Sequence, residues 1–159
     1  MSMNKIIVTG GAGFIGSNLV KRLLDDGAEE ILVIDDFSTG KKENLHDSSK
    51  VHLIESKLED IEDLKSKFKG YDFCFHLAAG VGVQYIMDNL SDSLLTNIQG
   101  THIVFEACKV NNIPVMITST SEIYGTSKEE SWDEETKSLI GPTTKLRWSY
   151  AVSKMIDEF

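Results

Sequence analysis

The chain has 159 residues and a formal net charge of −9 at pH 7. That length suits one domain, and 41% hydrophobic with 26% charged residues is enough apolar material for a core and excludes disorder. So acidic a surface repels phosphate backbones, which excludes general nucleic-acid binding. It leaves room for one anion held by backbone amides at a helix N-terminus.

Apolar runs at 6–8, 31–34 and 115–117 fall far short of the roughly 18–20 residues of a membrane span. No basic start followed by an apolar stretch and a small-residue cleavage site is present, so no signal peptide is expected. Cys74 and Cys108 have neither CxxC spacing nor a His cluster. They are expected to be free core thiols in a reducing cytoplasm, with no metal bound.

Residues 5–9 predict a buried strand. The stretch 14–26 predicts a helix, because Phe14, Ile15, Leu19, Val20, Leu23 and Leu24 recur at helical spacing. Gly27 stops it. Strands are predicted at 30–35 and 51–55, a short helix at 60–68 ended near Gly70, and a fourth strand at 73–77. A long helix at 94–109 and a fifth strand at 115–119 follow. This alternation predicts an α/β fold with a doubly wound parallel sheet, and the unbroken apolar strands agree with burial on both faces. Three irregular stretches, 37–50, 80–90 and 122–148, each follow the carboxyl end of a strand. That edge of an open α/β sheet is where ligands bind.

The strongest local signal is Thr9-Gly10-Gly11-Ala12-Gly13-Phe14-Ile15-Gly16, directly after the first strand and opening the first helix. Both contexts of a dinucleotide fingerprint are therefore met. Gly10, Gly13 and Gly16 divide the work of a tight turn, close approach to a pyrophosphate and close helix–strand packing. Asp35 stands at the end of the second strand, roughly 20 residues further on, placed to accept from adenosine ribose hydroxyls. Asp36 adjoins it, and no Arg follows to receive a 2′-phosphate. NAD is expected in preference to NADP.

A second signal is Tyr150-Ala151-Val152-Ser153-Lys154. Residues four apart on a helix share a face, so the phenol and ammonium project together. A free Tyr titrates near pH 10, and an adjacent ammonium favours phenolate. Tyr150 could then act as a base toward a hydroxyl. The fifth strand runs into Ser119-Thr120-Ser121-Glu122-Ile123-Tyr124-Gly125. His76, with no acid near it in sequence, is expected to be structural rather than a general base.

Taken together these segments resemble the extended short-chain dehydrogenase/reductases, the NAD-dependent family that remodels nucleotide sugars. Residues 9–16 look like its glycine signature. Asp35-Asp36-Phe37-Ser38-Thr39-Gly40 is similar to its acidic ribose-binding segment. His76-Leu77-Ala78-Ala79 resembles the segment behind the nicotinamide ribose, and Asn97 matches the family's Asn on the long helix. The resemblance implies a Rossmann-like fold. It implies cofactor contacts from Gly10, Gly13, Phe14, Ile15, Gly16, Asp35, Asp36, Ser38, Thr39, Gly40, Leu58, Leu77, Ala78, Ala79, Val81, Asn97, Ser119, Tyr150 and Lys154. It implies catalysis by Thr120, Tyr150 and Lys154, with Thr120 steadying the transferring proton. One departure stands out: relatives carry an Asp before the residue matching Leu58, to meet the adenine amino group, and this chain has Lys57, which cannot accept that bond.

Glu122 makes the Thr-Ser-Glu segment look more like sugar-nucleotide dehydratases and UDP-glucuronate decarboxylases than simple 4-epimerases. Gly141-Pro142-Thr143-Thr144 and Arg147-Trp148-Ser149-Tyr150 also look like the decarboxylases and some UDP-sugar epimerases. The expected activity is UDP-sugar 4-epimerisation through a 4-keto sugar, with Glu122 as a fourth catalytic candidate. The alternatives are a UDP-glucuronate decarboxylase, a 4,6-dehydratase, or a catalytically silent NAD-binding fragment. The acids Glu129, Glu130, Asp133, Glu134 and Glu135 read as a solvated face. Family members are about twice this length, so residues 1–159 are expected to form an NAD-binding domain without the C-terminal substrate domain. The full-length protein is expected to be a homodimer, packed through the long helix and the Tyr150 helix.

Overall fold

The structure is a computed structural model that describes residues 3–80 and 90–159. The chain divides into two compact units, residues 1–78 with 100–118 and residues 79–99 with 119–159.

The first unit holds a five-stranded parallel sheet of β1 (Lys5–Thr9), β2 (Glu30–Asp35), β3 (Val51–Glu55), β4 (Phe73–His76) and β5 (Val115–Ile117). Its order is β3-β2-β1-β4-β5. The chain winds outward from β1 to one edge, then returns to β1's other side for β4 and β5. Neighbours stay in strict register, as in Ile7 opposite Leu32 and Cys74.

Successive side chains on a strand point to opposite faces, so the unbroken apolar strands feed two cores. Ile6, Val8, Ile31 and Val33 pack with Val20 and Leu23 of helix α1 (Phe14–Asp25). Ile7, Leu32, Ile34 and Cys74 pack with Leu64 and Phe68, and with Val104, Ala107 and Cys108 of helix α3 (Leu90–Asn111). Cys74 and Cys108 are both buried and free. Among the described residues no helix is long and apolar enough to cross a membrane, and none form a group of His, Cys, Asp or Glu that could hold a metal.

The predicted helix at 60–68 is not one element. Leu58–Asp60 forms a 3-10 turn, and α2 spans only Leu64–Lys67. Between them Asp63 sits in the left-handed region (φ 49), where its carboxylate accepts from the Ser66 amide and starts the helix afresh. The strands β4 and β5 stop at His76 and Ile117, short of the predicted 77 and 119. The long helix begins at Leu90, four residues before the apolar pattern that predicted it. Polar Ser91, Asp92 and Ser93 carry no apolar periodicity to read.

The second unit holds the first turns of α3, a 3-10 turn at Ser121–Tyr124, and α4 (Trp148–Glu158). α4 buries Ala151, Ser153, Lys154 and Asp157. The segment between is irregular, tied locally by a bridge between Gly125 and Leu139 and by stacking of Tyr124 on Trp132 at 5.1 Å.

Candidate functional site

In the first unit the glycine loop takes the shape its composition requires. Gly10 has φ +69, and a Cβ there would lie 2.8 Å from the Ala78 amide nitrogen. Gly16 lets α1 pack against the backbone of Gly10 and Gly11, where a Cβ has no room. Gly13 is different: a Cβ there meets only the Gly10 oxygen, at 3.3 Å. Space lies open in front of Gly13, at the start of a helix with no side-chain cap and no acid in its first turn. Phe14 and Ile15, 85% and 65% exposed, present their surface beside it. An uncapped helix N-terminus with open backbone suits a pyrophosphate.

Asp35 is buried. One oxygen accepts from the Ala12 amide at 2.8 Å and the other from the Phe37 amide at 2.9 Å. The carboxylate therefore locks the end of β2 to the glycine loop. Each oxygen keeps lone-pair capacity for a ribose hydroxyl. Exposed Asp36 turns one oxygen to the Ser38 amide at 2.9 Å. Phe37, with φ 56, reverses the chain, and the loop of Ser38, Thr39 and Gly40 is tied back by Lys41 N–H donating to the Ala12 carbonyl at 3.2 Å. Leu58 is 8% exposed and belongs to the core with Val104 and Phe68, so its side chain has little surface left for an adenine ring.

His76 is 2% exposed. The Thr9 hydroxyl oxygen accepts from the Ala78 amide at 3.2 Å and lies 2.7 Å from His76 Nδ1. The other ring nitrogen, Nε2, lies 3.1 Å from the Thr101 hydroxyl oxygen. The ring thereby links β1, β4 and α3. Leu77 and Ala78 follow it as half-buried backbone beside Gly10.

In the second unit Ala79 and Gly80 open the loop after β4. The Asn97 side-chain oxygen accepts from the Gly80 amide at 2.6 Å, and its Nδ2 donates to Ser153 of α4 at 3.3 Å. Val81 lies outside the described residues.

Thr120 caps the 3-10 turn, its oxygen accepting from the Glu122 amide at 3.3 Å; its own proton stays available. Ser119, expected near the cofactor, gives its hydroxyl proton to Glu158 of α4. Glu122 stands 3.7 Å from the Arg147 guanidinium, which also lies over the Trp148 ring at 5.0 Å. The turn packs against α4, which brings Glu122 toward Tyr150.

The Lys154 ammonium finds its partner on its own helix. It donates to Asp157 at 2.8 Å, with both side chains almost wholly buried. Burial first, then the charges of Glu122 and Asp157, push the Tyr150 phenol above its ordinary range. Asp157 escaped the sequence reading, although its i,i+3 spacing from Lys154 on a helix was a visible signal.

Residues 6–158 match the model of the NAD dependent epimerase/dehydratase family. The chain is 33% identical over 97% of its length to UDP-N-acetyl-alpha-D-glucosaminuronate decarboxylase of Bacillus cytotoxicus, covering 48% of that protein. A UDP-N-acetylglucosamine 4-epimerase from Methanobrevibacter ruminantium M1, solved in complex with UDP-N-acetylmuramic acid, is 34% identical. It superposes with a TM-score of 0.87 over 99% of this chain and 49% of its own. The Bordetella bronchiseptica enzyme WbmG, solved in complex with NAD, is 30% identical, with a TM-score of 0.83 over 99% of this chain and 48% of its own. The chain spans about half the length of each of these relatives. With that family's model matched along nearly the whole chain, the chain belongs to the NAD dependent epimerase/dehydratase family.

Proposed function

We propose that the chain is the dinucleotide-binding part of a nucleotide-sugar 4-epimerase that uses NAD and a UDP-linked substrate. The observation that carries this is the packing of the Thr120–Glu122 turn against the helix of Tyr150 and Lys154. It gathers a hydroxyl, a phenol and an acid on neighbouring elements. The open backbone at Gly13 and the uncapped start of α1 suit the pyrophosphate, and Asp35 and Asp36 suit an unphosphorylated ribose. NAD supplies a reversible hydride acceptor for sugar C4.

The chain's own residues handle the proton. Tyr150 exchanges it with the C4 hydroxyl, and Thr120 donates to the same sugar oxygen as charge develops there. Loss of proton and hydride leaves a 4-keto sugar, and their return with hydride on the opposite face gives the epimer. The UDP-linked relatives support a UDP-sugar.

A second reading, decarboxylation of a UDP-uronate, is favoured by Glu122. Once C4 is a ketone, loss of the C5 carboxylate as carbon dioxide leaves a carbanion at C5, and an acid near it can return a proton. The whole protein incubated with UDP-glucose, UDP-glucuronate and GDP-mannose separates these outcomes by mass and NMR. A C4 epimer is expected. Loss of carbon dioxide from UDP-glucuronate, without epimerisation, transfers the proposal to the second reading, and three unchanged substrates overturn both.

We infer further that the whole protein is a homodimer. Leu95 on α3 and Val152 and Ile156 on α4 are 50%, 38% and 47% exposed, an apolar outlay that a helical interface would cover. Sedimentation reading a monomer would overturn this.

A further inference from the structure

The glycine loop and the loop after β2 meet at the carbonyl of buried Ala12. Its oxygen accepts from the Lys41 amide at 3.2 Å and from the Asn44 side-chain Nδ2 at 2.9 Å, which uses both lone pairs of that carbonyl. The same peptide ends in the Gly13 N–H, which donates to the Gly10 carbonyl at 3.2 Å. On the other side the Ala12 N–H donates to Asp35 at 2.8 Å. Asn44 closes a 3-10 turn, Lys42–Asn44, and its own amide donates to the Lys41 carbonyl at 3.0 Å. The two loops lie flush, since a Cβ at Gly40 would come 2.9 Å from the Ala12 carbonyl carbon. Of the two donors to the Ala12 oxygen, Asn44 alone is a side chain, so a substitution can remove it.

A trans peptide is planar, so its carbonyl and its N–H point in opposite directions. Holding the Ala12 oxygen toward the loop after β2 therefore fixes the direction of the Gly13 N–H and of the chain entering α1. The first-turn amides of α1 have no intrahelical partner, and a carbonyl swung among them would repel an anion held there. We propose that Asn44 is a positioning residue for the glycine loop, holding the Ala12 carbonyl away from the pyrophosphate site and coupling that site to the ribose site at Asp35. The loop that carries Asn44 also carries Asp36, Ser38 and Thr39. Ordering that loop on the ribose thereby sets the start of α1 for the pyrophosphate. Asn44 is exposed; it acts through Ala12 and needs no contact with the cofactor. The proposal rests on the reading of the glycine loop as the NAD site.

The test compares the wild type with Asn44→Ala in the whole protein, by calorimetry with adenosine, ADP and NAD and by hydrogen exchange without nucleotide. Because Asn44 is exposed, the variant is expected to fold, with the core amide of Ile7 exchanging at the wild-type rate. The Gly13 amide is expected to exchange about fivefold faster. Affinity for ADP and NAD is expected to fall about fivefold, the worth of one hydrogen bond, while adenosine stays within about twofold. A merely structural role would weaken all three ligands alike and speed Ile7 together with Gly13, and that result overturns the proposal. Unchanged ADP and NAD binding overturns it as well, as does unchanged exchange at Gly13. A wild type that binds none of the three ligands overturns the cofactor reading instead, and exchange at Gly13 still decides whether Asn44 holds the loop.

Discussion

Asn97 reaches Ser153 across 3.3 Å, its carboxamide donating to a hydroxyl that in turn donates to the Tyr150 carbonyl at 2.8 Å. The other end of the same carboxamide accepts from the Gly80 amide. One buried side chain thus ties the loop after β4 to the helix of the proposed base. Asn97→Ala leaves the Gly80 amide and the Ser153 oxygen without these partners. A stability loss of about 1–3 kcal/mol is expected, read by urea denaturation, with faster hydrogen exchange at Gly80.

The glycine loop separates folding from binding. Gly10→Ala adds a Cβ 2.8 Å from the Ala78 nitrogen at a φ of +69, and a loss of about 2 kcal/mol or more is expected. Gly13→Ala meets only one oxygen at 3.3 Å, so the fold is expected to survive. Its Cβ would occupy the space left for the pyrophosphate, so calorimetry is expected to show NAD affinity falling at least about tenfold. Wild-type thermal stability in Gly10→Ala, or wild-type NAD binding in Gly13→Ala, would contradict this account.

Tyr71 sets an alkaline signature. Its hydroxyl donates to Glu30 at 2.7 Å, and burial and that bond push the phenol up. The Lys5 and Tyr71 bonds hold the Glu30 carboxyl below its ordinary range. A raised phenol stabilises the fold below its unfolded pKa, about 10, and this is lost as pH rises toward the folded value. The depressed carboxyl stabilises above its unfolded pKa, and this is lost as pH falls through the lower folded value. Tyr71→Phe is expected to cost about 1 kcal/mol near pH 7, after allowance for exposure. The deficit should narrow above about pH 10, because only the wild type still loses stability there. Denaturation across pH checks this, and a constant deficit would count against it.

Tyr150→Phe and Glu122→Gln divide the chemistry. Tyr150→Phe is expected to lower turnover by about 10²–10⁴-fold while NAD binding persists. Glu122→Gln is expected to leave 4-epimerisation within about threefold and, if carbon dioxide is released from UDP-glucuronate, to slow that release by about 10²-fold or more. Product analysis by mass on the whole protein reads both.

Much of this was legible in the residues alone. Thr9 to Gly16 after an apolar strand announced the turn at Gly10 and the open backbone at Gly13, because only glycine serves there. Unbroken runs such as Ile31 to Ile34 announced a sheet covered on both faces, since each strand must feed two cores. Local periodicity could not announce the break at Asp63, where a left-handed residue and its cap on Ser66 outweigh helical spacing.

Partner choice lay beyond the sequence. Tyr150 and Lys154 could be read as sharing a helix face, but spacing does not say which carboxylate a buried ammonium takes. Tertiary burial decided that by removing water from Lys154, so that the acid one turn away on α4 became its partner. The same holds for Asp35, where the sequence named an acid at the end of β2 and the folded loop aimed the Ala12 and Phe37 amides at it. Residue types and spacings determined the fold and the candidate groups; desolvation, which depends on the packed chain, decided which charges each group meets.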